Sequence, residues 1–292
     1  MEYFLENDYL KVTVTTFGAQ VESVIRKCDG VEHMWKADKN VWGYHAPILF
    51  PHCGKVTDGI IEAKGSKFKS AQHGFARLLE HTFVDQSADT LVLELCANEK
   101  TMKVFPYDFR LVSTFTLEGS TLNHTLTVEN LDESNLPFGI GYHPAFAIPF
   151  DDRHTFADYE IRFSEPESPL CVNCRPYGLL HGNLYYLGSN IREIPIDEKL
   201  FANDSHCMVN LRSQTIGIYE KDTGRAVVCD IADFPYTLIW SKPGQPQFVC
   251  IEPWHSLPSA ENGSTQWEKK PAAAILAPGE EWSCTLSTEF VR

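Results

Sequence analysis

Apolar residues recur at every second position in short runs, and almost nowhere at every third or fourth, which restricts the chain to β-strands. Residues 9–16, 90–95, 110–116 and 121–129 carry the clearest runs, followed by 216–220, 226–231, 237–240, 248–251 and 281–289. Turn residues separate them: Glu118-Gly-Ser, Asp222-Thr-Gly, Pro243-Gly and Pro278-Gly. Asp222-Thr-Gly between GIYE and AVVCDI reads as a hairpin turn. Short helical turns are expected only at residues 35–40 and 195–201. Many short strands at regular spacing imply an all-β sandwich or barrel. The lack of long helices alternating with them excludes doubly wound and barrel α/β folds. With no repeat, low-complexity tract or linker, residues 1–292 are read as one β domain.

Charge narrows the function. The formal net charge is -14 and the sequence pI is about 5.2. The one lysine-rich stretch, residues 64–69, is short and interrupted. A nucleic-acid partner needs a basic stripe and an anionic membrane needs a basic patch, so neither is expected. A small uncharged ligand suits this surface better. The first ten residues lack the basic and apolar segments of a secretion signal, and no window reaches the ~20 apolar residues of a membrane span. Nine scattered cysteines, an odd number, are read as reduced thiols in a cytoplasm. Cys171 and Cys174 form a lone C-x-x-C with no second pair, so no metal is expected there.

Four stretches break the strand alternation by setting His, Glu and Trp among Gly and Pro: PILFPHCGKVTDG (residues 47–59), QHGFAR (72–77), GIGYHPAF (139–146) and FVCIEPWHSLPSA (248–260). Loops of this kind on a rigid scaffold carry function. Glu252 follows an apolar lead-in and precedes Trp254, a setting that dries a carboxyl and raises its pKa towards working pH. His143 precedes Pro144, which favours an extended backbone, and an imidazole suits proton transfer at neutral pH.

These four stretches resemble the aldose 1-epimerase (galactose mutarotase) family, specifically its bacterial LacX-like branch. CIEPWHSLPSA is similar to the branch's signature around a catalytic Glu, and GYHPAF to that around a catalytic His. The likeness runs from Phe17-Gly-Ala to Pro278-Gly-Glu. The resemblance implies a galactose-mutarotase β-supersandwich and an isomerase that interconverts the anomers of a free aldohexose. No cofactor or metal is implied, and the expected state is a monomer or homodimer. It assigns Glu252 as base and His143 as acid. His73, Asp204 and Trp254 would bind the sugar, with Lys55 where the family usually has a sugar-clamping arginine. Lysine keeps the charge but loses the planar fork. Arg77 and His206 are weaker candidates, Trp240, Phe75 and Tyr142 plausible walls, and His52 and His255 flank the motifs without a role.

Three other readings remain. A glycoside hydrolase would pair two carboxylates such as Glu252 and Asp204, leaving both histidines idle. A hexose 6-phosphate epimerase would want clustered arginines. A non-catalytic sugar-binding protein would bind without accelerating anomer exchange.

Overall fold

The computed structural model describes residues 1–174, 178–244 and 246–292; among them the chain forms strands and short 3-10 turns and no α-helix. Alternation explains the pairing. Phe109–Glu118 is buried at every second residue, as is Thr121–Asn130 in the opposite phase, and the two pair from Phe109↔Asn130 to Glu118↔Thr121 around the Gly119-Ser120 turn. They lie within a nine-stranded sheet. The expected hairpin at Asp222-Thr-Gly joins Thr215–Glu220 to Ala226–Asp230 in that sheet. No helix is long and apolar enough to cross a membrane.

A second large sheet runs in the order Leu184–Tyr186, Leu170–Val172, His206–Met208, Tyr236–Trp240, Phe248–Trp254, Gly141–Tyr142, Ile48–Leu49, with Ala145–Ala147 also paired to Phe248–Trp254. One apolar cluster takes Leu111, Phe115, Leu126 and Ile161 from the first sheet and Ile48, Ile239, Val249 and Ile251 from the second. Each such side chain stabilises by roughly 1.5–3 kcal/mol, against roughly 0–1 kcal/mol for a surface ion pair. The interlocked sheets therefore hold the framework.

Strand parity then fixes the site. Because Val249 and Ile251 face the shared core, Cys250, Glu252 and Trp254 face the opposite side of the second sheet. One expectation is corrected. The strand continues to Trp254, so Glu252 lies inside it rather than at its end. At the short turns expected within residues 35–40 and 195–201, hydrogen-bonded turns close on the Asp38 carbonyl, which accepts from Val41 and Trp42 N–H, and on the Lys199 carbonyl, which accepts from Ala202 N–H; the 3-10 turns are at Thr57–Gly59, Ala76–Leu78, Thr101–Lys103, Phe156–Asp158 and Trp267–Lys269.

Candidate active site

The neighbour of Phe248–Trp254 is interrupted. It pairs through Ala145↔Cys250 on one side and Gly141↔Trp254 on the other, and the gap holds Pro144 facing the segment that contains Pro253. Neither proline has an N–H to offer a ladder. In this gap His143 Nε2 comes within 3.3 Å of Glu252 Oε2. Gly141 is required beside them, because a Cβ there would stand 2.5 Å from Trp254 Cδ1. The Trp254 indole N–H donates to the Tyr142 carbonyl at 3.1 Å, which locks the wall next to Glu252.

A cavity of about 300 Å³ opens above the pair, walled by Trp42, Trp240, Trp254 and Leu238 and edged by His73, Arg77, Asp204 and Lys242. That is the low end of the ~300–1,000 Å³ typical of small-molecule sites. Trp42 stacks on His143 with ring centroids 4.9 Å apart, and Trp240 meets it edge-on at 5.7 Å.

Burial sets the ionisation. It pushes the Glu252 carboxyl well above the usual carboxylate range, helped by the negative charge of Asp204. It pushes the His143 imidazolium down to about 3, helped by Arg77. Both shifts disfavour the charged forms, so burial favours a neutral carboxyl against a neutral imidazole over an ion pair.

His73 is fixed by its backbone. It adopts φ +65°, donates its N–H to the Gly54 carbonyl at 2.8 Å and accepts the Gly54 N–H at its own Nδ1 at 3.0 Å. Burial, with positive charge on neighbouring groups, holds its pKa well below the usual imidazole value. A neutral ring whose Nδ1 accepts must carry its proton on Nε2, so His73 offers an N–H donor without a charge. Gly74 serves a different purpose from the ligand approach its sequence position suggests: a Cβ there would sit 2.2 Å from the Phe50 carbonyl oxygen. Asp204 lines the cavity from a turn, at φ +79° with its N–H donating to the Phe201 carbonyl.

Lys55 is corrected. It borders an adjacent cavity with Asp58, Gln72 and Glu261, not the one over Glu252. Its backbone ties down the rim instead, donating to the Gly178 carbonyl and accepting from Ser259 N–H. The arginine in the cavity is Arg77. Its guanidinium lies over the Tyr44 ring at 4.8 Å, donates to the Gln72 carbonyl at 2.8 Å, and keeps a buried Nε without a protein partner.

Apart from Arg77 and Trp240, the weaker candidates fall outside the cavity. His206 is register-paired with Ile239, a core residue, and is held between the Tyr185 hydroxyl and the Leu200 carbonyl. Tyr142 donates to the His124 and Cys284 carbonyls, Phe75 packs with Phe50 and Phe105, and His52 and His255 lie against Trp267 and Trp282. Of the walls suggested by sequence, Trp240 and Trp254 line the cavity. Trp42 and Lys242, which line it as well, had no local signal.

Comparison with known proteins agrees with this architecture. The sequence profile of the aldose 1-epimerase family matches residues 1–288. The chromosomal and plasmid LacX proteins of Lactococcus lactis subsp. lactis are each 31% identical over 283 residues, covering 94% of both chains. A galactose mutarotase related enzyme from Lactobacillus acidophilus superposes with a TM-score of 0.95 at 27% identity, covering 100% of this chain and 98% of that one. A galactose mutarotase-like protein from Lactobacillus casei gives 0.91 at 28% identity, covering 99% of each. The fold is the galactose-mutarotase-like β-supersandwich, and the chain belongs to the aldose 1-epimerase family.

Proposed function

We propose that this chain is a mutarotase acting on a free aldohexose, with Glu252 as base and His143 as acid. The observation that carries the reading is their contact at 3.3 Å, both buried, beneath a cavity of sugar size. The reaction needs one proton taken from O1 while another is given to the ring oxygen. Moving the shared proton from Glu252 to His143 creates carboxylate and imidazolium without changing the proton count. The carboxylate then takes the O1 proton, the O1–H electron pair becomes the C1=O1 π bond, the C1–O5 bond breaks, and His143 protonates O5. Both groups end neutral, their favoured buried state, so ring opening relaxes the site. Rotation about C1–C2 and the reverse transfers close the other anomer.

His73 Nε2–H donates to a sugar oxygen, Asp204 accepts from sugar hydroxyls, the Arg77 fork grips further hydroxyls, and Trp254 walls the ring's apolar face. The catalytic unit is residues 1–292 as one domain, supported by a core cluster with members from Leu5 to Phe290. Cys28, Cys53, Cys96, Cys207, Cys229, Cys250 and Cys284 are free thiols, which suits a reducing cytoplasm.

Polarimetry on freshly dissolved α-D-galactose and α-D-glucose tests the reading: the protein is expected to accelerate the drift of at least one. No acceleration of either, or efficient release of nitrophenol from a nitrophenyl glycoside, refutes it. A second reading, a hexose 6-phosphate as substrate, is favoured by Arg77 and Lys242 edging one cavity; competition between glucose and glucose 6-phosphate separates the two.

Arg77 and Lys55 make opposite predictions. Arg77→Ala removes hydrogen bonds from a charged donor, worth roughly 1.5–3 kcal/mol, and is expected to raise KM about ten-fold or more. Lys55→Ala is expected to leave KM within about two-fold of wild type. Equal effects in steady-state kinetics would show that the assignment of the cavity arginine is wrong.

A further inference from the structure

Beside His143 and Glu252 lies a third group that anomer exchange does not use. Cys250 precedes Glu252 by two residues on Phe248–Trp254, so the two side chains share a face. A ring nitrogen of His143, the Cys250 sulfur and a Glu252 carboxylate oxygen all lie within 4.8 Å of one another, and all three residues are buried. Cys250 is packed in an apolar cluster with Trp35, Trp42 and Trp240. We propose that His143, Cys250 and Glu252 form a Zn²⁺ site, its fourth position open to the cavity, and that zinc bound there switches the enzyme off.

The donor set selects the metal. One imidazole, one thiolate and one carboxylate suit zinc, whose sites with three protein ligands keep an open fourth position; calcium and magnesium want oxygen donors. Tetrahedral bonds of ~2.0–2.3 Å place neighbouring donors roughly 3.3–3.8 Å apart. The His143–Glu252 separation of 3.3 Å already meets this. A sulfur lies about 3.5 Å from a neighbouring N or O on tetrahedral zinc, so from the 4.8 Å limit it closes by at most about 1.3 Å.

Charge balances as well. Zn²⁺ displaces the thiol proton of Cys250 and the carboxyl proton of Glu252 into solvent, and the thiolate and carboxylate cancel the two positive charges in a buried place. No oxidant or co-reactant is involved. The ion enters through the cavity, onto which His143 and Glu252 open. Inhibition rests on reading Glu252 and His143 as the catalytic pair; binding does not.

The test titrates the purified chain with Zn²⁺ against a chromophoric chelator and with Co²⁺ while following thiolate-to-cobalt charge-transfer absorption. One equivalent is expected to bind, to give that absorption, and to abolish mutarotation. Cys250→Ala is expected to lose affinity by more than the roughly 10–100-fold that deleting a mere supporting group costs, yet to keep mutarotation in chelator-treated buffer. The near-isosteric Cys250→Ser covers the case in which alanine fails to fold, and is expected to lose the cobalt–thiolate band. Cys28 and Cys96 are the exposed thiols and Cys174 lines the same cavity, so Cys28→Ser/Cys96→Ser and Cys174→Ser are each expected to bind zinc as wild type does. No equivalent bound, an equivalent retained without Cys250, or one lost with Cys28 and Cys96 or with Cys174 overturns the site. Binding through Cys250 in a protein without mutarotase activity upholds the site and sinks the catalytic reading instead.

Discussion

Glu252→Gln is expected to slow mutarotation by roughly 10²–10⁴-fold, the contribution of one general acid–base group, with KM nearly unchanged. Glutamine keeps the size and the hydrogen bonding of the side chain on a strand whose every residue is buried. It cannot take the O1 proton, and it removes the one proton the pair shares. His143→Gln is expected to act alike, because without an acid the ring oxygen leaves unprotonated. Since the two groups work on one proton at 3.3 Å, the double variant is expected to be no slower than the worse single variant. Initial polarimetric rates on the three variants check this, with thermal melts to show that each is folded. Multiplying losses in the double variant would mean that the two act in independent steps.

The pair was legible because its surroundings are local. Gly141 admits the indole of Trp254, and Pro144 and Pro253 interrupt the ladder, and all three sit within three residues of His143 or Glu252. His73 was legible for the same reason, since its clamp on Gly54 joins two of the four punctuated stretches. Lys55 and Arg77 were not. Lys55 follows Gly54 and Arg77 lies three residues after Gly74 in the turn Ala76–Leu78, and only the fold decides which of them turns into the cavity. Cys250 shows the limit most clearly. Its face is known once Val249 and Ile251 are known to point at the core, and that depends on pairing with strands more than a hundred residues earlier.

Acid is expected to unfold this protein well before it titrates His143 in the fold. His33, His52, His124 and His143 are each held down to about 3, in every case chiefly by burial. Nearby positive charge adds to it: Arg26 for His33, Lys270 for His52 and His81 for His124. Both ring nitrogens of His33 and Nε2 of His124 find no partner that would favour a charge. These imidazoles stay neutral in the fold and take protons near ~6.5 once the chain opens. A histidine whose folded pKa is depressed stabilises the fold fully above its unfolded pKa, and that stability is lost as pH falls below it. From pH 7 to 5 each loses about 2 kcal/mol by this linkage. Glu252, raised in the fold, runs the other way and offsets at most about 3 kcal/mol over the same interval. The net loss is at least about 5 kcal/mol, because His81 and His255, held down to about 4, and His73, held well below its usual value, add in the same direction, against a total stability of ~5–15 kcal/mol for an ordinary protein. Urea midpoints at pH 7.5 and pH 5.0 measure it, and equal midpoints would show that the histidines are not neutral in the fold. His124, stacked on Phe115 with ring centroids 4.1 Å apart, identifies the source: His124→Phe is expected to remove about 2 kcal/mol of the pH dependence. The acid limb of activity is then expected to follow unfolding, not protonation of His143, so it will move with added sugar, which stabilises the folded state by mass action.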